Sequence, residues 1–257
     1  MFLTISIFIL GSLIGSFLNV CIYRLPRGES VVFPPSHCVH CNNKIRWFDN
    51  IPFLSFLILR GRCRFCARPI SFRYFIVEFL TAALLVAFYM GFGISAKFFL
   101  FFLLGAALTV STFIDFEHQL IPDIITIPGI FIGMSAGFLF PYILGVARPL
   151  AGLLNSFAGV LTGAGSIYVM GVLGKLAFKK EAMGGGDVKL MAMIGAFVGW
   201  KLVLLVFFLA PFFGSAVGII TKIKDKKDII PYGPYISLAA IVVIFWGDRV
   251  LNYLSLY

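Results

Sequence analysis

The sequence predicts an all-α, polytopic membrane protein of about eight transmembrane segments with one small cysteine-rich domain on the cytoplasmic side. Three observations lead there. First, 60% of the 257 residues are hydrophobic and only 12% charged, with mean hydropathy +1.01, whereas a soluble domain carries about 25% charged residues. Second, the apolar residues fall in long runs near 2–22, 74–92, 97–115, 123–140, 150–173, 188–199, 201–221 and 234–255. A spanning helix needs roughly 20 such residues, so the sixth run is short. Third, the charge lies between the runs. Nine of the 21 Lys and Arg fall between Arg24 and Arg73, three more at Lys175, Lys179 and Lys180, and four at Lys222, Lys224, Lys226 and Lys227.

If the N-terminus is outside and the segments alternate, all three basic clusters share one side, which the positive-inside rule makes cytoplasmic. The first segment has no Lys or Arg before it and Arg24 after it. It lacks the basic start and cleavage site of a secretory signal, so it reads as an uncleaved N-out anchor. The net charge of +10 is thereby accounted for by topology in the bilayer, and nucleic acid is excluded as a partner. Three parts follow: a first transmembrane helix at 1–23, a polar domain at 24–73, and a membrane domain at 74–257. Oligomeric state is not specified.

The polar domain is too short for a large core, and chains of that size are often held by a metal or disulfides. It contains four of the five cysteines, as Cys38–Val–His–Cys41 and Cys63–Arg–Phe–Cys66 with 21 residues between the pairs. Two C-x-x-C turns at this spacing predict a zinc-ribbon-like domain, four thiolates closing a tetrahedral structural site. Lys44, Arg62 and Arg64 stand nearby to offset the charge. Disulfides and free thiols are the alternatives, and the cytoplasmic side disfavours the first. His37 and His40 are possible replacement ligands. Cys21, inside the first segment, reads as a packing residue.

Two acidic residues stand at apolar runs. Asp115 closes 98–114, and Asp187 follows Gly184, Gly185 and Gly186 and opens 188–198. A carboxylate at bilayer depth is costly and marks a functional site by default. Facing carboxylates share one proton, so one takes a proton from water while the other hydrogen-bonds a scissile carbonyl. Ser111 and Ser166 have no evident histidine–acid partners as nucleophiles. The bland readings stand beside this one: Asp187 as a helix cap after a glycine hinge, Asp123 as a helix N-terminal charge, and Glu117 and His118 as solvated interfacial groups. Pro122 disfavours helix at Ile121 and predicts a break before the next segment. The triglycine permits positive φ and close approach of another backbone, suited to an extended peptide. Lys189 pairs with a carboxylate, snorkels, or meets substrate. A proton-coupled transporter, with Asp115, Asp123, Asp187 and Glu78 as relay, and a zinc-stapled scaffold are the readings from other classes.

These residues together resemble the type IV prepilin peptidase family over nearly the whole chain. Gly15–Ser–Phe–Leu–Asn–Val20 and Tyr23–Arg–Leu–Pro26 resemble its first-helix motif. The two cysteine pairs and Asn50–Ile–Pro52 are similar to its cytoplasmic domain. Ile114–Asp115 through Leu120–Ile–Pro–Asp123 and Met183–Gly–Gly–Gly–Asp187–Val–Lys–Leu190 match its two aspartate motifs, and Pro231–Tyr–Gly–Pro–Tyr235 the motif before its last helix. The resemblance implies an eight-helix membrane aspartic endopeptidase with Asp115 and Asp187 catalytic, which cuts the basic leader from prepilins or pseudopilins at the cytoplasmic face. It also implies N-methylation of the new terminus from S-adenosylmethionine, with the family's methyl-transfer glycine at Gly61. Arg60 stands where some relatives carry a second glycine.

Overall fold

The computed structural model describes residues 2–178, 183–225 and 231–253, the side chains of 178 and 217–225 excepted. Lys179, Lys180, Glu181, Lys226 and Lys227 lie outside the described residues, as do the side chains of Lys222 and Lys224. Among the described residues the regular structure is helical, with two isolated β-bridges. The chain divides into two compact units, Met1–Gly93 and Ile94–Tyr257.

In the first unit, α1 (Phe2–Arg24) packs against α3 (Arg73–Phe92). Glycines make the seam possible. A Cβ at Gly11 would lie 2.7 Å from the Ala82 Cα, and one at Gly15 2.7 Å from the Glu78 Cα. Small residues of this kind let membrane helices approach where no hydrophobic effect drives them together. Several buried polar side chains bond backbone carbonyls. Asn19 donates to the Tyr74 carbonyl at 3.0 Å, and Arg24 forks onto the carbonyls of Ser30 (2.9 Å) and Pro34 (2.6 Å). Between these helices the chain forms the cysteine hairpins, a 3-10 turn at Trp47–Asn50 and the short α2 (Leu54–Ile58). The Phe53 N–H donates to Glu78 Oε2 at 3.1 Å, and Phe53 stacks among Phe8 and Phe75.

The second unit holds α4 (Ala96–His118), α5 (Asp123–Leu139), α6 (Pro149–Phe178), α7 (Gly185–Asp225) and α8 (Gly233–Tyr253). Ser95 caps α4 by accepting from the Phe98 N–H at 3.3 Å. Helices α6 and α7 meet backbone to backbone: a Cβ at Gly159 or Gly195 would overlap the other's carbonyl oxygen. Helix α5 lies on α7 through Gly133, where a Cβ would sit 2.7 Å from the Ala196 Cβ. The 41-residue α7 is broken at Gly199, whose φ of 80° and ψ of 173° leave the helical region.

Among the described residues, six helices have the length and composition to cross a membrane: α1, α3, α4, α6, α7 and α8. The sequence reading gives eight apolar segments, and the difference has two sources. The expected sixth and seventh runs are two helices that meet in a kink at Gly199 and are taken together as α7. The expected fourth, Asp123–Leu139, is shorter at 17 residues.

Candidate active site

Three helix ends in the second unit build the site. Helix α4 carries Asp115 one turn before its end, where Gln119 takes the left-handed conformation (φ 52°) and its N–H closes on the Asp115 carbonyl at 2.9 Å. The chain turns through Ile121 and the extended Pro122, and α5 starts at Asp123. The break expected at Pro122 is therefore present.

Asp115 is buried, 6% exposed, and its Oδ2 accepts the Gly233 N–H at 3.0 Å. Asp187 is 9% exposed, and its Oδ2 accepts the Gly184 N–H at 3.2 Å. Both carboxylates thus bind a glycine N–H at the start of a helix, where the unsatisfied amide groups and the dipole favour negative charge. Asp187 sits at the third helical position, and its own N–H reaches the Gly184 carbonyl at 3.2 Å. The Gly184 N–H bond to Asp187 Oδ2 is the return half of a capping box, so the cap reading and the site reading of Asp187 describe one geometry. The two carboxylates lie within electrostatic reach of each other. Tyr232, beside them, has its phenol pushed up to about 12 by burial and then by the Asp187 charge. It therefore remains a hydroxyl donor at every physiological pH.

The triglycine acts through close approach, not through φ. None of Gly184, Gly185 and Gly186 has positive φ, and Gly185 and Gly186 already belong to the first turn of α7. A Cβ at Gly186 would lie 3.0 Å from the Ile121 Cβ, while Gly185 has nothing within 4 Å. Ile121 also touches the other side of the site, since a Cβ at Gly233 would be 3.2 Å from its Cδ1 and 2.7 Å from Asp115 Oδ2. Lys189 grips both oxygens of Asp123 at 2.7 Å in a largely solvated pair. Of its three readings, pairing with a carboxylate is the one observed. Glu117 and His118 are exposed at the end of α4.

Sequence reasoning missed Gly233, Tyr232 and Ile121 as neighbours of the aspartates. The glycine at the start of the last helix was visible in Pro231–Tyr235, but its partner lies 118 residues away.

In the first unit, the four cysteine sulfurs lie within 4.8 Å of one another, with Cys38–Cys66 at 3.9 Å and Cys41–Cys63 at 4.0 Å. Tetrahedral zinc with bonds near 2.3 Å sets sulfurs about 3.8 Å apart, so the cluster fits that ion. The two hairpins are copies of each other. Cys38 N–H bonds the Asn43 carbonyl and Cys63 N–H the Arg68 carbonyl, both at 2.9 Å. The bridges His37–Lys44 and Arg62–Pro69 close them, and Asn42 (φ 55°) and Ala67 (φ 54°) make the left-handed turn after each second cysteine. Arg64, expected to offset the thiolates, instead forks onto Asp49 at 2.8 and 2.6 Å and holds that carboxyl below its usual range. His37 bonds the Pro35 carbonyl and His40 faces Arg68; neither joins the sulfur cluster. Gly61 (φ 65°) precedes the second hairpin. Its N–H bonds the Phe56 carbonyl at 2.8 Å, its carbonyl accepts from Ile70 at 2.7 Å, and a Cβ there would press the Phe56 ring at 3.1 Å.

Fold and site together define a multi-pass helical membrane protein with a paired-aspartate centre and a four-cysteine cluster. Family profiles agree: residues 9–92 match the bacterial peptidase A24 N-terminal domain and residues 101–219 the type IV leader peptidase family. Similar curated proteins include the prepilin leader peptidase/N-methyltransferases of Pseudomonas putida (33% identical, 94% of this chain and 90% of that one), Aeromonas hydrophila (36%, 96% and 92%) and Pseudomonas aeruginosa (34%, 94% and 90%). No solved structure matches. The chain belongs to the type IV leader peptidase family.

Proposed function

We propose that this chain is an aspartic endopeptidase of the bacterial inner membrane. It removes the leader of type IV prepilins or pseudopilins at the cytoplasmic face and N-methylates the new amino terminus with S-adenosylmethionine. The observation that carries the reading is the pair Asp115 and Asp187, both buried, each on a helix-start glycine N–H and each within the other's field. One proton shared by the pair leaves one carboxylate to deprotonate water and one carboxyl to hydrogen-bond the scissile carbonyl; the roles exchange as the amine leaves. Both Oδ2 atoms are fixed by amide donors, so the carboxyl planes are set before substrate arrives. The scissile segment must be extended to expose its carbonyl, because a helix hides it. The open first turn at Gly184–Gly186 offers a backbone surface for such a strand, while Lys189 and Asp123 brace α5 to α7 beside it.

The N-terminus lies outside and the basic loops are cytoplasmic, which puts the leader among them. Cys38, Cys41, Cys63 and Cys66 would hold a structural zinc ion, which closes all four positions and supplies rigidity, not a reactive site. Gly61 acts in methyl transfer by fixing the second hairpin on Phe56, a role in positioning.

The test is mass spectrometry of a co-expressed prepilin. Asp115→Asn and Asp187→Asn are each expected to leave the leader uncut at matched membrane levels, and wild-type protein to yield a mature terminus heavier by one methyl group. Normal processing by either variant overturns the pair.

A further inference from the structure

The Asp115–Gly233 hydrogen bond joins the last turns of α4 to the first turn of α8, and the two helices pack against each other. Ser111 lies one turn back from Asp115 and Ser237 one turn on from Gly233. Residues four apart share a helix face, and each serine stands about 6 Å from that bond along its own helix. Both are buried, Ser111 1% and Ser237 5% exposed, and neither Oγ has a protein partner. Three other buried or half-buried hydroxyls in this protein's helices close on their own backbone: Thr81 on the Val77 carbonyl, Thr109 on Gly105 and Ser166 on Gly163, at 2.7–2.9 Å. Back-bonding of that kind is the usual resort of a helical serine or threonine. Ser111 and Ser237 forgo it on the two helices that hold Asp115.

We infer that Ser111 and Ser237 hold a water molecule beneath Asp115, and that they are positioning residues for the hydrolytic step. The inference rests on the peptidase reading above. A buried water needs two to four polar partners. Two hydroxyls and Asp115 Oδ1 supply three, because Gly233 occupies only Oδ2. Leu108 and Ile114, on the same helix as Ser111, are buried at 1% and 0% exposure. Each turnover consumes one water. Its oxygen bonds the scissile carbonyl carbon, one proton passes to the carboxylate of the pair, and the C–N bond breaks as the leaving nitrogen takes a proton from the pair. A centre between apolar helices benefits from a water already held against one of its carboxyls.

The test uses full-length purified protein in detergent with a prepilin substrate. Ser111→Ala and Ser237→Ala are each expected to lower kcat about tenfold, the rate equivalent of one hydrogen bond, with KM and Tm unchanged. The double variant should be no slower than the slower single one, since one water serves both. Thr109→Val, which removes a back-bonded hydroxyl, should keep wild-type kcat. Radiolytic labelling of the unmodified protein gives an independent reading: a held water oxidises buried Leu108 and Ile114. Wild-type kcat in both alanine variants, losses that multiply in the double variant, a change confined to KM, or unlabelled Leu108 and Ile114 overturns the site. Asp115→Asn separates the levels. If it is inactive while the serine variants are normal, only the water site fails; if it is active, the peptidase reading fails with it.

Discussion

Ile121 is the side chain against which the starts of α7 and α8 close, and it turns two glycines into requirements. At Gly186 the added carbon would meet the Ile121 Cβ at 3.0 Å, tight enough that the isoleucine must move. Gly186→Val is therefore expected to lower prepilin cleavage at least about tenfold, as misplacement of catalytic groups by around 1 Å does. Gly185→Ala, facing open space, should cut normally. Trimming the obstacle should help: Gly186→Ala with Ile121→Val should process faster than Gly186→Ala alone. At Gly233 the same trimming should fail, because the added carbon lies 2.7 Å from Asp115 Oδ2 itself. Cleavage rates of the five variants at matched expression decide this, and wild-type turnover by Gly186→Val removes the glycines from the site. The Asp123–Lys189 pair belongs to a different class. Both side chains are about half exposed, and such pairs contribute about 0–1 kcal/mol. Asp123→Asn should lower Tm by no more than a few degrees and leave cleavage within about tenfold of wild type, far from the complete loss expected at Asp115.

At the scale of elements, α7 depends on the break at Gly199. The Asn155 side chain on α6 secures it: Oδ1 accepts the Trp200 N–H at 3.3 Å, and Nδ2 reaches the Leu144 carbonyl at 3.4 Å. A Cβ at Gly199 would lie 2.7 Å from that Oδ1 and impose an L side chain on φ 80°. Gly199→Ala is thus expected to cost about 2 kcal/mol. Asn155→Ala would relieve the clash without relieving the backbone, so the double variant should recover only part of the loss in thermal unfolding. The position of this break was legible in the sequence, where one apolar run ends at Gly199 and the next begins at Lys201. What was not legible is how the two helices join, because a backbone angle at a single glycine decides it. The same divide holds at the site. Asp115, Asp187 and the four cysteines stood out, since charge in an apolar run and paired C-x-x-C spacing are local patterns. Gly233, Asn155, Ser111 and Ser237 did not, because their partners are remote in sequence and their residue types ordinary for helix packing. Arg64 was misread for a related reason: Asp49, 15 residues earlier, offers its fork two oxygens and a better geometry than a thiolate.

Across the whole molecule, the two candidate chemistries fall on separate compact units. Asp115, Asp187, Gly184–Gly186 and Gly233 all belong to Ile94–Tyr257, while Cys38, Cys41, Cys63, Cys66 and Gly61 belong to Met1–Gly93. The hydrogen bonds that fix Asp115 and Asp187 come from within the second unit, so the pair does not need the cysteine hairpins to hold its geometry. The hairpins do need the cluster. They carry no strand pairing beyond two isolated bridges, and four thiolates gathered without an ion repel one another. Metal therefore matters to one activity before the other. Purified wild-type protein is expected to contain one zinc per chain. Cys63→Ser should lose it, as should treatment with a chelator under reducing conditions. In both states the prepilin should still be cut at a rate within a few-fold of wild type, while methylation of the new terminus falls at least about tenfold, in the range lost when a metal site's supporting groups are removed. One mass spectrum of the mature pilin reads both outcomes: leader removed, methyl absent. Equal loss of cleavage and methylation would tie the aspartate pair to the cysteine unit. Full methylation by zinc-free protein would leave the cluster without a part in that reaction.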